Sequence, residues 1–443
     1  MYLHGTSKIN AQGHLEIGGV DATDLKEQFG TPLYVVDEQL VRERCREYME
    51  AFRASGLGFQ VAYASKAFCV MAMCALAAEE GLSLDVVSDG ELFTALQAGF
   101  PAERIHFHGN NKTLEEIEMA LDAEIGCFVV DNFNELHLLQ AVAADKNRKV
   151  NILLRVTPGV EAHTHEYIST GQTDSKFGFD IGNGTAFEAI DLASKQSNLV
   201  LLGVHSHIGS QIFEVEGFQM AVQRVAEFAA SVYERLNVAF KVVNLGGGFG
   251  IRYIDGDTPL EVAQYVKAIT DAVKNHFAQI GYAVPEIWVE PGRSIVGEAG
   301  TTLYTVGTSK DIPGVRKYVA VDGGMTDNPR PALYESKYEA VLANRANEAA
   351  QETVSVAGKC CESGDMLIWD LDLPKVESGD LLAVACTGAY NYSMASNYNR
   401  IRRPAVVFVK DGQGDVVVRR ETYQDIIQND LVPARIGKQP VTR

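Results

Sequence analysis

Eight short runs rich in Val, Ile, Leu and Phe recur between residues 59 and 292, and the stretches between them read as helices. In order the runs are FQVAYASK (59–66), LSLDVVS (82–88), RIHFHG (104–109), CFVVDN (127–132), NILLRVTP (151–158), LLGVHSHIG (201–209), KVVNLGGG (241–248) and IWVEPG (287–292). The intervening segments, such as AFCVMAMCALAAEEG and DGELFTALQAG, carry apolar residues on a 3.6 period and a Gly after the last turn, where helices commonly end. Eight βα units over about 250 residues are what a (β/α)8 barrel requires. The chain is therefore expected to be an α/β protein with a TIM-type barrel over residues 38–310.

The flanks read differently. Residues 1–37 hold HLEIGG and TPLYVVD, and after residue 311 come RKYVAVDGG, ETVSVAG, DMLIWDLDL, DLLAVACTG, RPAVVFVKDG and DVVVRRETY, a strand-rich stretch with turn signals. A second, mostly β domain, a sandwich or barrel built from both chain ends (1–37 and 311–430), is expected to bracket the first, leaving 431–443 as a tail without periodicity.

Charge narrows the function. A net charge of −19 and a pI near 5.0 repel polyanions over most of the surface, which argues against nucleic acid and anionic membranes and for small-molecule chemistry. The N-terminus has no basic segment leading into an apolar one, and there is no apolar run of about 18 residues, so a cytoplasmic protein is expected. Seven cysteines, irregularly spaced and without CxxC, suit neither a disulfide framework nor a zinc ribbon. Adjacent Cys360 and Cys361 are expected to point to opposite sides of a strand.

Barrel active sites sit at the C-terminal strand ends. The first run ends in Lys66, and alternation puts Gln60, Ala62, Ala64 and Lys66 on one face, with two alanines leaving room before the amine. Taken alone, a lysine closing a strand is most often a solvated charge; a desolvated one forms Schiff bases, because burial lowers its pKa. His205 and His207, like the pairs at 106/108 and 163/165, have the spacing of metal ligands, but the seventh and eighth runs end only in glycines and one Glu, so no metal site is expected. Gly246, Gly247 and Gly248 after the seventh run offer bare backbone N–H groups to a phosphate. Glu290 closes the eighth run. A Schiff-base lysine, a flat ring, a phosphate cradle and a carboxylate for a pyridinium nitrogen are together the requirements of pyridoxal phosphate. A Glu at that nitrogen keeps it protonated and the ring a strong electron sink, which suits loss of CO2 from an amino acid.

Seven motifs in order, YASKA, HSHIGSQ, NLGGGFG, EPGR, NPRPALY, CCESGD and CTGAYNYSM, resemble the diaminopimelate decarboxylase family, fold type III pyridoxal phosphate enzymes with an alanine-racemase-like barrel, over residues 1 to about 430. The resemblance implies that Lys66 bears the cofactor, His207 stacks on its ring and Glu290 pairs with its nitrogen. It implies further that Ser210, Gly246, Gly247, Gly248, Gly292 and Arg293 surround the phosphate, with Arg293 also near substrate. Arg330, Tyr334 and Tyr390 are implied to contact substrate or phosphate from the second domain. In this family Cys361 and Glu362 reach into a partner subunit's site, which implies a homodimer with shared sites, Cys361 acting as proton donor, Glu362 binding the substrate's distal ammonium and Cys360 only filling space. The implied reaction is meso-2,6-diaminoheptanedioate to L-lysine and CO2, the last step of lysine synthesis. Other readings are a decarboxylase of ornithine, arginine or carboxynorspermidine, a non-catalytic pyridoxal phosphate barrel, alanine racemase and a metal-dependent barrel hydrolase; NPRPALY and CESGD favour the diaminopimelate reaction.

Overall fold

The computed structural model describes residues 1–160 and 175–436. Every one of the eight runs is a strand: β1 (Phe59–Ala64), β2 (Ser83–Val86), β3 (Ile105–Phe107), β4 (Cys127–Val130), β5 (Val150–Thr157), β6 (Leu199–His205), β7 (Val242–Asn244) and β8 (Glu286–Val289). Neighbours in sequence pair in parallel, and β8 pairs with β1, so the sheet closes into a barrel without an edge.

Strand alternation sorts the inward residues into layers. Low in the barrel, Cys127, Val129, Leu153, Val242 and Trp288 form an apolar plug, and His106 stacks on Trp288 with ring centroids 4.4 Å apart. One step up each strand, the inward positions become Ala64, Asp85, His108, Arg155, His205 and Glu290. The apolar layer closes the bottom, and the polar layer faces the C-terminal mouth.

The second domain is knitted from both chain ends. The strand Leu33–Asp37 lies between Gly300–Ile312, antiparallel to it, and Ala405–Lys410, parallel to it. Gly300–Ile312 is a strand that the apolar runs do not reveal, because TTLYTVGTSKDI mixes Thr, Gly, Ser and Lys with few aliphatics. Its first half pairs with Leu381–Ala385 and its second half with Arg316–Val321, with a register shift between Val306 and Ser309 where it changes partners. Pairing in the second sheet thus begins at Gly300. HLEIGG joins instead a separate three-stranded sheet, through Leu15–Ile17.

One expectation fails locally. CCESGD is not on a strand but in the turn between Glu352–Ala357 and Met366–Leu373, so alternation does not sort the two thiols. Cys360 is half-buried and Cys361 exposed. Among the described residues, no helix is long and apolar enough to cross a membrane.

A buried aspartate joins the first strand of the second sheet to the loop before Arg330. The Tyr34 hydroxyl donates to the Asp327 carbonyl and the Tyr304 hydroxyl to its carboxylate, which also accepts the Gly324 N–H at 3.0 Å. Burial pushes the Asp327 carboxyl up to about 7. A carboxyl raised on folding stabilises fully below its unfolded pKa of about 4, and that contribution is lost as pH climbs through the folded value. Asp327→Asn is therefore expected to flatten a fall in stability of about 1.4 kcal/mol per pH unit between roughly pH 4 and 7, read from denaturant midpoints of both proteins across that range.

Candidate active site

At the mouth, β1 stops at Ala64 and the chain turns through a short 3-10 segment, Ser65–Ala67. Lys66 therefore leaves the strand's alternation. Its amine opens into a cavity of about 230 Å³ at the C-terminal end of the barrel. The desolvated lysine of the sequence reading is instead exposed within that cavity.

Glu290 forms the floor and is 7% exposed. Its carboxylate accepts hydrogen bonds from His205 Nε2 at 3.0 Å and Asn244 Nδ2 at 2.6 Å, and His108 Nε2 lies 3.1 Å from Oε1. Burial alone would favour the neutral acid, but these imidazoles hold Glu290 well below the usual carboxylate range. Burial in turn pushes His108 down to about 3, leaving its ring neutral. Asp85 lines the same cavity, and burial together with the charge on Glu290 raises its carboxyl well above normal. Two neighbouring acids thus divide the work: Glu290 carries the negative charge and Asp85 keeps its proton.

His205 and His207 part company. His205 serves Glu290, whereas His207 lines the cavity, its ring pushed well below the ordinary histidine range by burial and by Lys66 and Arg155. The Gly247 N–H donates to His207 Nδ1 at 3.3 Å, which orients the ring. Among the described residues, His108, His205 and Glu290 make the one group of three donors close enough for a metal, within 4.8 Å, and Glu290 already takes up its neighbours' N–H groups. The 163/165 pair lies outside the described residues.

Glycines shape the wall. Gly247, Gly248 and Gly292 line the cavity, and a Cβ on Gly247 would meet the Glu290 carbonyl at 2.1 Å. Gly246 does not line it but lets the loop pass behind His207: its φ is +68°, and a Cβ would lie 2.8 Å from His207 Nδ1.

Two cations dominate the far wall. Arg293 donates to Ser210 Oγ at 3.0 Å and to the Tyr253 hydroxyl at 2.6 Å, and sits 4.9 Å from the Tyr390 ring. Arg330 donates to the Tyr338 hydroxyl at 2.8 Å and lies 5.0 Å from the Tyr253 ring. Both are buried, and neither has a carboxylate within ion-pair distance among the described residues. In a chain of net charge −19, two arginines held only by hydroxyls and ring faces keep their charge available for anions. A second cavity of about 730 Å³ shares Lys66, His207, Arg293 and Tyr390 with the first and adds Arg330 and Tyr334. Lys66, His207, Ser210, Glu290, Arg293, Arg330, Tyr334 and Tyr390 are thus brought into one cleft. Cys361 and Glu362 are not: both are exposed in their turn and line neither cavity.

Residues 38–297 match the family model for the pyridoxal-binding domain of pyridoxal-dependent decarboxylases. The chain is 62% identical to diaminopimelate decarboxylase of Bacillus subtilis over 437 residues, covering 99% of both chains. It is 51% identical to that of Staphylococcus aureus, over 96% of this chain and 99% of the relative. The chain belongs to the diaminopimelate decarboxylase family. The crystal structure of the M. jannaschii diaminopimelate decarboxylase in complex with L-lysine superposes with a TM-score of 0.91 at 38% identity, covering 98% of this chain and 99% of that one.

The family's cofactor fits the cleft. An exposed lysine amine, an ionised carboxylate on the floor, a neutral imidazole ring and a glycine wall beside carboxylate-free Arg293 suit an imine carbon, a pyridinium nitrogen, an aromatic face and a phosphate. Sequence reasoning missed Asp85, His108, Asn244, Tyr253 and Tyr338. For the first three the signal was available, since inward parity carried along each strand leads to them; the two tyrosines lie off the barrel strands and gave none. Tyr253→Phe keeps the ring but frees Arg293 Nη1, a hydrogen bond to a charged group, and is expected to weaken pyridoxal phosphate binding by about tenfold or more, measured by titrating cofactor-free enzyme.

Proposed function

We propose that this chain decarboxylates meso-2,6-diaminoheptanedioate to L-lysine and CO2, as a cytoplasmic homodimer whose sites are shared. The observation that carries this reading is the pair of buried arginines in one cleft, neither within ion-pair distance of a carboxylate among the described residues, with Lys66 lining both cavities. One anion position suits the cofactor phosphate at Arg293, Ser210, Gly247, Gly248 and Gly292; the other, at Arg330 with Tyr334 and Tyr390, suits a carboxylate at the far end of the substrate. Ornithine and arginine have no such distal carboxylate and would leave Arg330 buried without an anion, which disfavours the runner-up decarboxylases.

Pyridoxal phosphate, when bound, supplies an electron sink for the pair of electrons left at the α-carbon as CO2 departs. The chain's own groups do the rest. Lys66, whose amine opens into the cavity, would hold the cofactor. Glu290, kept ionised by His205, His108 and Asn244, holds the proton on the pyridine nitrogen. His207, neutral and oriented by Gly247, covers the ring face. The α-carbon must then receive a proton in place of the lost carboxylate. Cys361 of a second copy is the donor in this reading, and Glu362 of that copy meets the distal ammonium; a thiol can serve as the general acid.

Incubation of the holoenzyme with meso-diaminopimelate is expected to release equimolar CO2 and L-lysine, with ornithine and arginine inert; turnover of ornithine alone would sink the substrate assignment. Lys66→Ala is expected to abolish turnover, and residual wild-type rates would refute its role. Cys361→Ala should lower kcat by about 10²–10⁴, whereas Cys360→Ala should change it little; equal losses in the two variants count against Cys361 as donor.

A further inference from the structure

The exposed turn that carries Cys361 and Glu362 is pinned from beneath by one buried side chain. Asp365, 3% exposed, closes the turn. Its Oδ1 accepts the Met325 N–H at 2.6 Å, and its Oδ2 accepts the Cys360 N–H at 2.7 Å. The carboxylate fills space that two glycines leave open: a Cβ on Gly358 would lie 2.2 Å from it, and one on Gly324 would lie 2.5 Å away. Backbone bonds run the same way, from Lys359 N–H to the Gly323 carbonyl at 2.9 Å and from Gly358 N–H to the Asp365 carbonyl at 2.9 Å. The loop so gripped, with Asp327 holding its other side through the Gly324 N–H, leads through Pro329 into the helix Arg330–Tyr334 on the cleft wall. One carboxylate therefore accepts from both the turn bearing Cys361 and the loop bearing Arg330.

We propose that Asp365 is a positioning residue that ties two half-sites into one unit: the Cys361–Glu362 turn offered to a second copy, and the Arg330–Tyr334 wall of its own cleft. This rests on the reading above that Cys361 serves a second copy. A bare ionic contact would not need both oxygens aimed at backbone N–H groups; two such bonds at 2.6 and 2.7 Å set the spacing of the two segments. Asp365→Asn keeps the size but turns an amide donor against one of the two N–H groups, so one segment must move.

The test separates the two half-sites by complementation. Lys66→Ala chains can lend only their turn and Cys361→Ala chains only their cleft, so tagged heterodimers of the two are expected to regain activity in one site. With Asp365→Asn added to the Lys66→Ala chain, kcat is expected to fall about tenfold or more, with KM raised as well because Glu362 moves with Cys361; added to the Cys361→Ala chain, it is expected to raise KM by about fivefold or more with kcat nearly unchanged. An effect in one placement alone, or in neither, overturns the tie. If the parent heterodimer regains no activity, the shared-site reading fails first and the proposal with it, a failure visible before Asp365 is touched. Gly358→Ala, whose Cβ would displace the carboxylate, serves as the second variant in both placements if Asp365→Asn does not fold, and must give the same split. Asn399→Gly, at an exposed position, releases the Cys361 N–H, which Asn399 Oδ1 accepts at 2.8 Å, and is expected to lower kcat when placed in the Lys66→Ala chain and to change nothing in the Cys361→Ala chain; an equal effect in both placements counts against the split.

Discussion

An ionised carboxylate at the centre of a protein is the interaction on which this active site is built. Glu290 has lost almost all contact with water, and charge there is tolerable only because N–H groups surround it. Two strands and a loop converge around it: His205 from β6, Asn244 from β7 and His108 just beyond β3. Closing the sheet through β8 and β1 is what brings these distant positions together. Burial and the same carboxylate push the Asp85 carboxyl well above its ordinary range, which disfavours a second negative charge on the floor.

The wall obeys the opposite rule. Among the described residues, no carboxylate reaches Arg293 or Arg330 in a chain that has an excess of them, and tyrosine hydroxyls and ring faces take their place. Tyr253 touches both, since it accepts from Arg293 and lies against Arg330. An arginine neutralised by Asp or Glu would compete poorly for phosphate or substrate carboxylate; one held by a phenol keeps its reach. Negative floor and positive wall then face each other across a cleft that opens beside Lys66.

Where sequence reasoning succeeded and where it failed follows from the range of the forces involved. Barrel strands announce themselves because burial on both faces demands unbroken aliphatic runs, and all eight were legible. Gly300–Ile312 was not, because half of it faces solvent and its Thr and Ser carry no apolar signature. Lys66, His207, Glu290 and the glycine loop could be named because each sits at a strand end. Cys361 was placed on a strand by alternation, and the structure puts it in a turn: alternation has no meaning where the backbone reverses, and GKCCESGD reverses to let Asp365 reach two N–H groups.

Alone, the amino-acid order determined the eight βα units, the second β domain drawn from both ends and the residue types at the barrel mouth, since these depend on local pattern and on turn chemistry. Only the tertiary structure decided which histidine serves the carboxylate and which lines the cavity, which of the two acids is pushed down and which up, and that two arginines have no acidic partner among the described residues. It also decided that Cys361 and Glu362 line neither cavity of their own cleft. Those outcomes rest on distances between residues far apart in the chain, and on burial that no single segment creates by itself.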